Sequence, residues 1–115
     1  MEINVDNVDG VCVVSPYGHL DAASSSDFGY QTKELIEDNQ ILMVVDMSNI
    51  EYISSAGLRE ILGLAKGIRA ADGKLIFCSL QAMVEEVFQI SDFLSILDVC
   101  TTLDEALNQI KQQEQ

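Results

Sequence analysis

The chain has 115 residues, 19 acidic and 6 basic side chains, and a formal net charge of −13. At that length one domain is expected, and the acid excess argues against nucleic acid and anionic membrane surfaces, which both need a basic footprint. With 48% apolar residues and one proline, surface scaling gives about 6,200 Å² exposed when folded against about 18,000 Å² unfolded, enough for a core without disulfides or metal.

Ile3, Val5 and Val8 precede Asp9-Gly10, and Val11 to Val14 follow, which predicts a hairpin whose turn wants positive φ at the glycine. The second strand ends at Ser15-Pro16-Tyr17-Gly18. Ala22 to Asp38 carries Phe28, Leu35 and Ile36 at helical spacing, with Ser24, Ser25 and Asp27 as candidate caps. Ile41 to Val45 is a short continuous apolar run, suited to a central strand covered on both faces, and Asp46 ends it. From Leu58 the pattern is helical, with Leu58, Ile61, Leu62, Ala65 and Ile68 on one face and Arg59, Glu60, Lys66 and Ala70 on the other. Asp72-Gly73 stops it. Leu75 to Cys78 reads as a second buried strand. Met83, Val84, Val87 and Phe88 form the inner stripe of a third helix, and Ile96 to Val99 is a short strand candidate. Thr102-Leu103-Asp104-Glu105 is a capping box opening a last helix on Leu103, Leu107 and Ile110. The tail, residues 111–115, is expected to fray. A hairpin followed by strands alternating with helices implies an α/β sandwich: a mixed central sheet with helices packed on it.

The charge is uneven. Residues 1–57 hold ten acids and one base, Lys33, whereas Arg59, Lys66, Arg69 and Lys74 fall within sixteen residues. A basic protein partner would suit the acid excess, and so would plain solubility. Cys12, Cys78 and Cys100 are widely spaced in apolar sequence with no Cys-x-x-Cys pair, which reads as reduced thiols in a cytoplasmic protein. No signal peptide is expected from Met1-Glu2-Ile3-Asn4-Val5, and the longest strongly apolar run is too short to span a bilayer.

The segment from Asp46 to Leu58, DMSNIEYISSAGL, runs from the end of a central strand into a helix, the crevice where open α/β sheets concentrate function. Ser54 and Ser55 fall at the helix N-terminus, where free backbone N–H groups and the helix dipole favour an anion. Ala56 and Gly57 leave that terminus sterically open. A phosphate there would add about −1.5 to −2 charges at one exposed point. The alternative is that these serines serve only as an N-cap, worth about 1 kcal/mol. Gly63 and Gly67, four apart and away from the apolar stripe, leave a flat helix flank bordered by Arg59 and Lys66. Either a partner approaches that flank or another element of the same fold does.

Other chemistries lack their residues. A receiver-type phosphoaspartate at Asp46 needs an acidic pair near Val11 to Gly18 and a lysine near Leu75 to Leu80, and neither is present. His19 has no cluster at metal-ligand spacing beyond Asp21. Neither a phosphate-cradling Gly-x-x-x-x-Gly-Lys loop nor a Gly-x-Ser-x-Gly elbow occurs. No cofactor, metal site or catalysis is expected.

The string DMSNIEYISSAGL closely resembles the signature of the STAS domain, specifically the stand-alone bacterial anti-sigma factor antagonists. Gly18-His19-Leu20-Asp21 resembles the Gly-x-Leu-Asp that precedes the first helix of that family, and length and element order agree along residues 1–115. The resemblance implies a STAS-type sandwich and a role in partner switching. The unphosphorylated protein would bind an anti-sigma factor that is also a serine kinase, and a metal-dependent serine phosphatase would reset it. Ser55 would be the phosphoacceptor, with Ser54 the less favoured hydroxyl; the family often has Asp before the acceptor, and Ser54 is a familiar variant there that leaves both hydroxyls as candidates. Asp21, Ala56, Gly57, Leu58, Arg59, Gly63 and Lys66 would join both serines in the partner-binding surface. A STAS scaffold or accessory subunit, in a stressosome-like or transporter assembly, is the other role the resemblance allows.

Overall fold

In the computed structural model, which describes residues 1–113, Asp9 and Gly10 take φ of 53° and 86° and turn β1 (Ile3–Val8) into β2 (Val11–Pro16). Positive φ at both central residues gives a two-residue turn the twist that antiparallel strands need. The register runs from Val8 opposite Val11 to Ile3 opposite Pro16. Behind the hairpin, β4 (Leu42–Asp46), β6 (Lys74–Cys78) and β7 (Val99–Cys100) complete a five-stranded sheet in the order β1-β2-β4-β6-β7. Every pairing after the hairpin is parallel, so the sheet is mixed, as the alternation of strands and helices requires.

The continuous apolar strands are explained by helices on both faces. Cys12, Val14, Met43, Val45 and Phe77 point to one side, where they pack with α1 (Ser25–Glu37), α2 (Ser55–Ala70) and α3 (Ala82–Ile90) through Phe28, Ile61, Ile68, Val84 and Phe88. The alternate residues Val11, Val13, Val44, Ile76 and Cys78 meet Ala106, Leu107 and Ile110 of α4 (Leu103–Gln113). The accessible surface of 6223 Å² agrees with the area scaling for this mass. No helix among the described residues is long and apolar enough to cross a membrane.

Two short strands depart from the expected order. β3 (Gly18–Leu20) and β5 (Ile50–Ile53) pair in parallel outside the main sheet, with Leu20 opposite Ile53. Of the strand expected over Ile96 to Val99 only Val99 is in a strand, β7, which includes Cys100 instead of the three residues before it. A 3-10 turn over Phe93–Ser95 precedes it, and Ile96 is 55% exposed. On α2 the buried residues are Gly57, Ile61, Leu64 and Ile68, so the inward stripe is rotated from the expected one: Leu64 enters the core and Leu62 stays half-buried. α4 extends to Gln113 and includes much of the tail expected to fray, while residues 114–115 lie outside the described part. Lys111 Nζ donates to Asp9 Oδ2 at 2.8 Å, tying α4 to the hairpin turn.

Candidate functional site

Ser54 follows β5 in extended backbone, φ −98° and ψ 176°, and its hydroxyl accepts from the Gly57 amide at 3.3 Å. That satisfies one of the free amides of the first turn, which is the work of an N-cap. The same hydroxyl donates to the Leu20 carbonyl at 3.2 Å, and the Ser54 amide donates to that carbonyl at 2.8 Å. Ser54 is therefore only half-exposed and its oxygen is engaged on both sides. Ser55 follows as the first residue of α2; it is exposed, and none of the side-chain hydrogen bonds found among the described residues involves its hydroxyl. One serine builds the helix start and the next presents a free hydroxyl from it.

Gly57 allows the close approach beneath. A Cβ there would lie 2.5 Å from the Leu20 carbonyl oxygen and 2.8 Å from Ile53 Cγ1. Ala56 and Leu58 are half-buried beside it. The helix start is thus pressed onto the end of β3, 34 residues earlier in the chain.

Asp21 directly follows that contact. Its Oδ1 accepts from the amides of Ala23 at 3.0 Å and Ser24 at 3.1 Å, and the Ser24 hydroxyl is 3.1 Å away. These bonds, the Ser24 amide and hydroxyl foremost, hold its carboxyl below the ordinary 3.8 by stabilising the charged form. Asp21 thereby caps the entry into α1. Of the candidate caps there, Ser24 turns its hydroxyl back to the His19 carbonyl, Ser25 is buried with its hydroxyl on the Asp21 carbonyl, and Asp27 accepts from Gln31 at 3.0 Å.

Arg59 and Lys66 are both exposed on α2, one and three turns beyond Ser55. The glycines behave differently from each other. A Cβ on Gly67 would lie 3.0 Å from Ile36 Cδ1 of α1, so Gly67 serves helix packing within this fold. Gly63 is exposed with nothing within 4 Å of an added Cβ, and it opens onto a groove of about 320 Å³ between α1 and α2. The flat glycine flank therefore divides into an internal contact and an open gap.

Sequence reasoning missed Leu20, whose contribution is a backbone carbonyl and leaves no trace in residue type. It also missed the exposed cluster of His19, Glu51 and Tyr52 on the β3–β5 ribbon. There His19 Nε2 lies 3.5 Å from Glu51 Oε2, and the His19 and Tyr52 rings meet edge-on at 5.9 Å. The parallel pairing that creates the cluster, His19 opposite Tyr52, is long-range. The Asp21-to-Ser24 spacing, by contrast, is a readable turn signal.

Among the described residues no group of three or more His, Cys, Asp or Glu is placed to hold a metal ion. A cavity of about 460 Å³ lies at the β7 end between Leu80, Leu97, Cys100 and Gln109, and none of the residues above lines it.

Comparison with known proteins gives a consistent picture. Residues 2–106 match the STAS domain family. The chain is 34% identical over 106 residues to BtrV, a candidate anti-sigma factor antagonist of Bordetella bronchiseptica, covering 92% of this chain and 91% of that protein. Its fold is similar to the crystal structure of a candidate anti-sigma factor antagonist from Thermotoga maritima, with TM-score 0.90, 22% identity and coverage of 95% and 94%. It is also similar to the Bacillus cell fate determinant SpoIIAA in its phosphorylated form, with TM-score 0.72, 18% identity and coverage of 95% and 99%.

Proposed function

The chain belongs to the STAS domain family, and from that premise we propose that it is an anti-sigma factor antagonist switched by phosphorylation of Ser55. Unphosphorylated, it binds a cytoplasmic anti-sigma factor that is also a serine kinase, so that the sigma factor is freed. In the complex the Ser55 Oγ attacks the γ-phosphorus of the ATP held by the kinase. The bond to ADP breaks and the hydroxyl proton passes to a base of the kinase. The chain itself supplies no catalytic group; it is the substrate. A metal-dependent serine phosphatase hydrolyses the phosphoserine and resets the circuit.

The observation that carries this reading is the division of labour between the two serines. The Ser54 hydroxyl is held between the Gly57 amide and the Leu20 carbonyl, whereas Ser55 is exposed at the first position of α2. A phosphate on Ser54 would break the cap, while one on Ser55 would leave the helix start intact and lie near its positive end. Adding about two negative charges to an interface already formed by a chain of net charge −13 then disfavours the complex.

The test is phosphopeptide mapping by mass spectrometry after incubation with ATP and the serine-kinase homologue encoded nearest to this gene, with Ser54→Ala and Ser55→Ala in parallel. One phosphate that disappears only in Ser55→Ala is expected. Binding without any phosphate would replace the switch by a passive docking role.

A further inference from the structure

We propose that the outward face of α2, centred on Arg59 and Lys66 with Leu62 between them, docks against an acidic surface of the kinase, and that a phosphate on Ser55 weakens the complex by capturing Arg59. The proposal deepens the reading of Ser55 given above and rests on it.

At about 100° per residue, Ser55, Arg59 and Lys66 lie within about 40° of one another around the α2 axis, and Leu62 within about 60° of Arg59. The buried residues Gly57, Ile61, Leu64 and Ile68 occupy the opposite side. No acid of α2 itself lies on its outward face. The one acidic residue of α2, Glu60, is about 100° from Arg59, on the side turned to Gly29 of α1. The ion pairs found among the described residues are Met1 with Asp27 and Lys111 with Asp9, with His19 also 3.5 Å from Glu51, and none of these contacts uses an α2 cation. Arg69 stands at the rim, sharing a hollow with Asp72 and Asp98.

On a chain of net charge −13, an unpaired basic face beside the acceptor hydroxyl is the region whose complement is negative. Nucleic acid, the other polyanion, would meet repulsion from the remaining surface. An acidic protein patch facing Arg59 and Lys66, with an apolar residue opposite Leu62, matches the charge and the half-buried leucine. The switch then has a specific electrostatic route. Ser55 and Arg59 are four apart on one helix and so are neighbours, and a guanidinium fork fits phosphate oxygens in bidentate fashion. The phosphate therefore withdraws from the interface the cation nearest to it.

The experiment uses the purified chain and the serine-kinase homologue encoded nearest to it, loaded with ADP, and measures affinity by calorimetry at low and high salt. The variants are Arg59→Glu, Lys66→Glu and Arg59→Gln, with Lys74→Glu as an off-face control and circular dichroism to verify folding. Phosphoserine is introduced at position 55 during translation in wild-type and Arg59→Gln backgrounds. Expected are losses of roughly tenfold or more for each charge reversal, little change for Lys74→Glu, and weakening of wild-type binding with salt. The phosphoserine penalty should be several-fold smaller in Arg59→Gln than in wild type. Undiminished binding by both charge reversals would overturn the docking face while leaving Ser55 phosphorylation standing, and an equal phosphoserine penalty in both backgrounds would overturn the capture of Arg59. A kinase that neither binds nor phosphorylates the wild-type chain would overturn this proposal together with the reading of Ser55.

Discussion

The carbonyl oxygen of Leu20 accepts two hydrogen bonds from Ser54, one from its amide at 2.8 Å and one from its hydroxyl at 3.2 Å. This contact joins the end of β3 to the start of α2 and fixes the position from which Ser55 projects. Removing the hydroxyl in Ser54→Ala also frees the Gly57 amide. We expect a loss of about 1 kcal/mol, seen as a fall in Tm of roughly 4 °C, with Ser55 still phosphorylated. A thermal melt that coincides with wild type would show that the cap contributes nothing.

Ser55→Ala removes a hydroxyl that makes no side-chain hydrogen bond among the described residues, so its stability should stay within about 0.5 kcal/mol of wild type. Its kinase affinity should match or exceed that of the unphosphorylated chain. Ser55→Asp should bind more weakly, and full phosphorylation by about 30- to 150-fold if the charge costs 2 to 3 kcal/mol. Equal affinity of the alanine and aspartate variants would contradict the mechanism.

The three glycines of α2 should respond to alanine with different signs. Gly63→Ala meets open space and should stabilise by about 0.5 to 1 kcal/mol through helix propensity. Gly57→Ala drives a methyl into the Leu20 carbonyl and Ile53, and should cost about 1 to 3 kcal/mol. Gly67→Ala, 3.0 Å from the movable tip of Ile36, should fall between them. Urea midpoints of the three variants give the order directly.

Acid should unmask the cap at Asp21. Its folded carboxyl is harder to protonate than the ordinary 3.8 because the Ser24 amide and hydroxyl and the Ala23 amide stabilise the charged form. The stabilisation is therefore present above the unfolded value of 3.8 and is lost as pH falls through the lower folded value. The stability gap between wild type and Asp21→Ala should be full near neutrality and close as pH falls below the lowered folded value. A gap independent of pH in urea titrations would assign Asp21 a role unrelated to its charge.

Burial pushes the Cys78 thiol up to about 11, and Cys12 is raised by burial as well. Cys100 is raised too, by burial first and then by the Glu105 and Asp98 carboxylates, but it is only half-buried, with its Sγ 3.2 Å from Gln109 Oε1, so reagent reaches it more easily. Since the thiolate is the reactive form, iodoacetamide should label Cys100 first. Mass-resolved labelling in which Cys78 leads would mean that the edge of the sheet at β7 opens readily.

Local chemistry was legible where one segment contains both halves of an interaction. Asp9-Gly10 takes the positive φ angles its residue types favour. The predicted capping box of α4 is present, with the Glu105 amide on Thr102 Oγ1 at 3.2 Å, although the Glu105 carboxylate reaches the Thr101 amide at 3.3 Å rather than that of Thr102. The β3–β5 ribbon was illegible for the converse reason. Its strands have three and four residues and pair across a long separation, and Ile50-Glu51-Tyr52-Ile53 buries its two ends rather than alternating. The inward stripe of α2 was misread because α1 covers one flank of that helix, drawing Leu64 and Gly67 inward, and no periodicity within α2 encodes where α1 lies. At the site, the motif indicated Ser54 and Ser55 together; the separation of their tasks depends on the Leu20 carbonyl, which no side chain announces.

If Ser55 is the acceptor proposed above, the seam between Leu20 and Ser54 would also determine what the modifying enzyme recognises. A peptide cut from around Ser55 would carry the acceptor but neither the carbonyl that orients it nor the strand beneath Gly57. A kinase that read this surface would be insensitive to nascent or unfolded chains, because the surface forms only once segments 34 residues apart have come together. The circuit would then count correctly assembled copies of the protein, and loss of folded copies by heat or acid would register as a fall in antagonist even at constant expression.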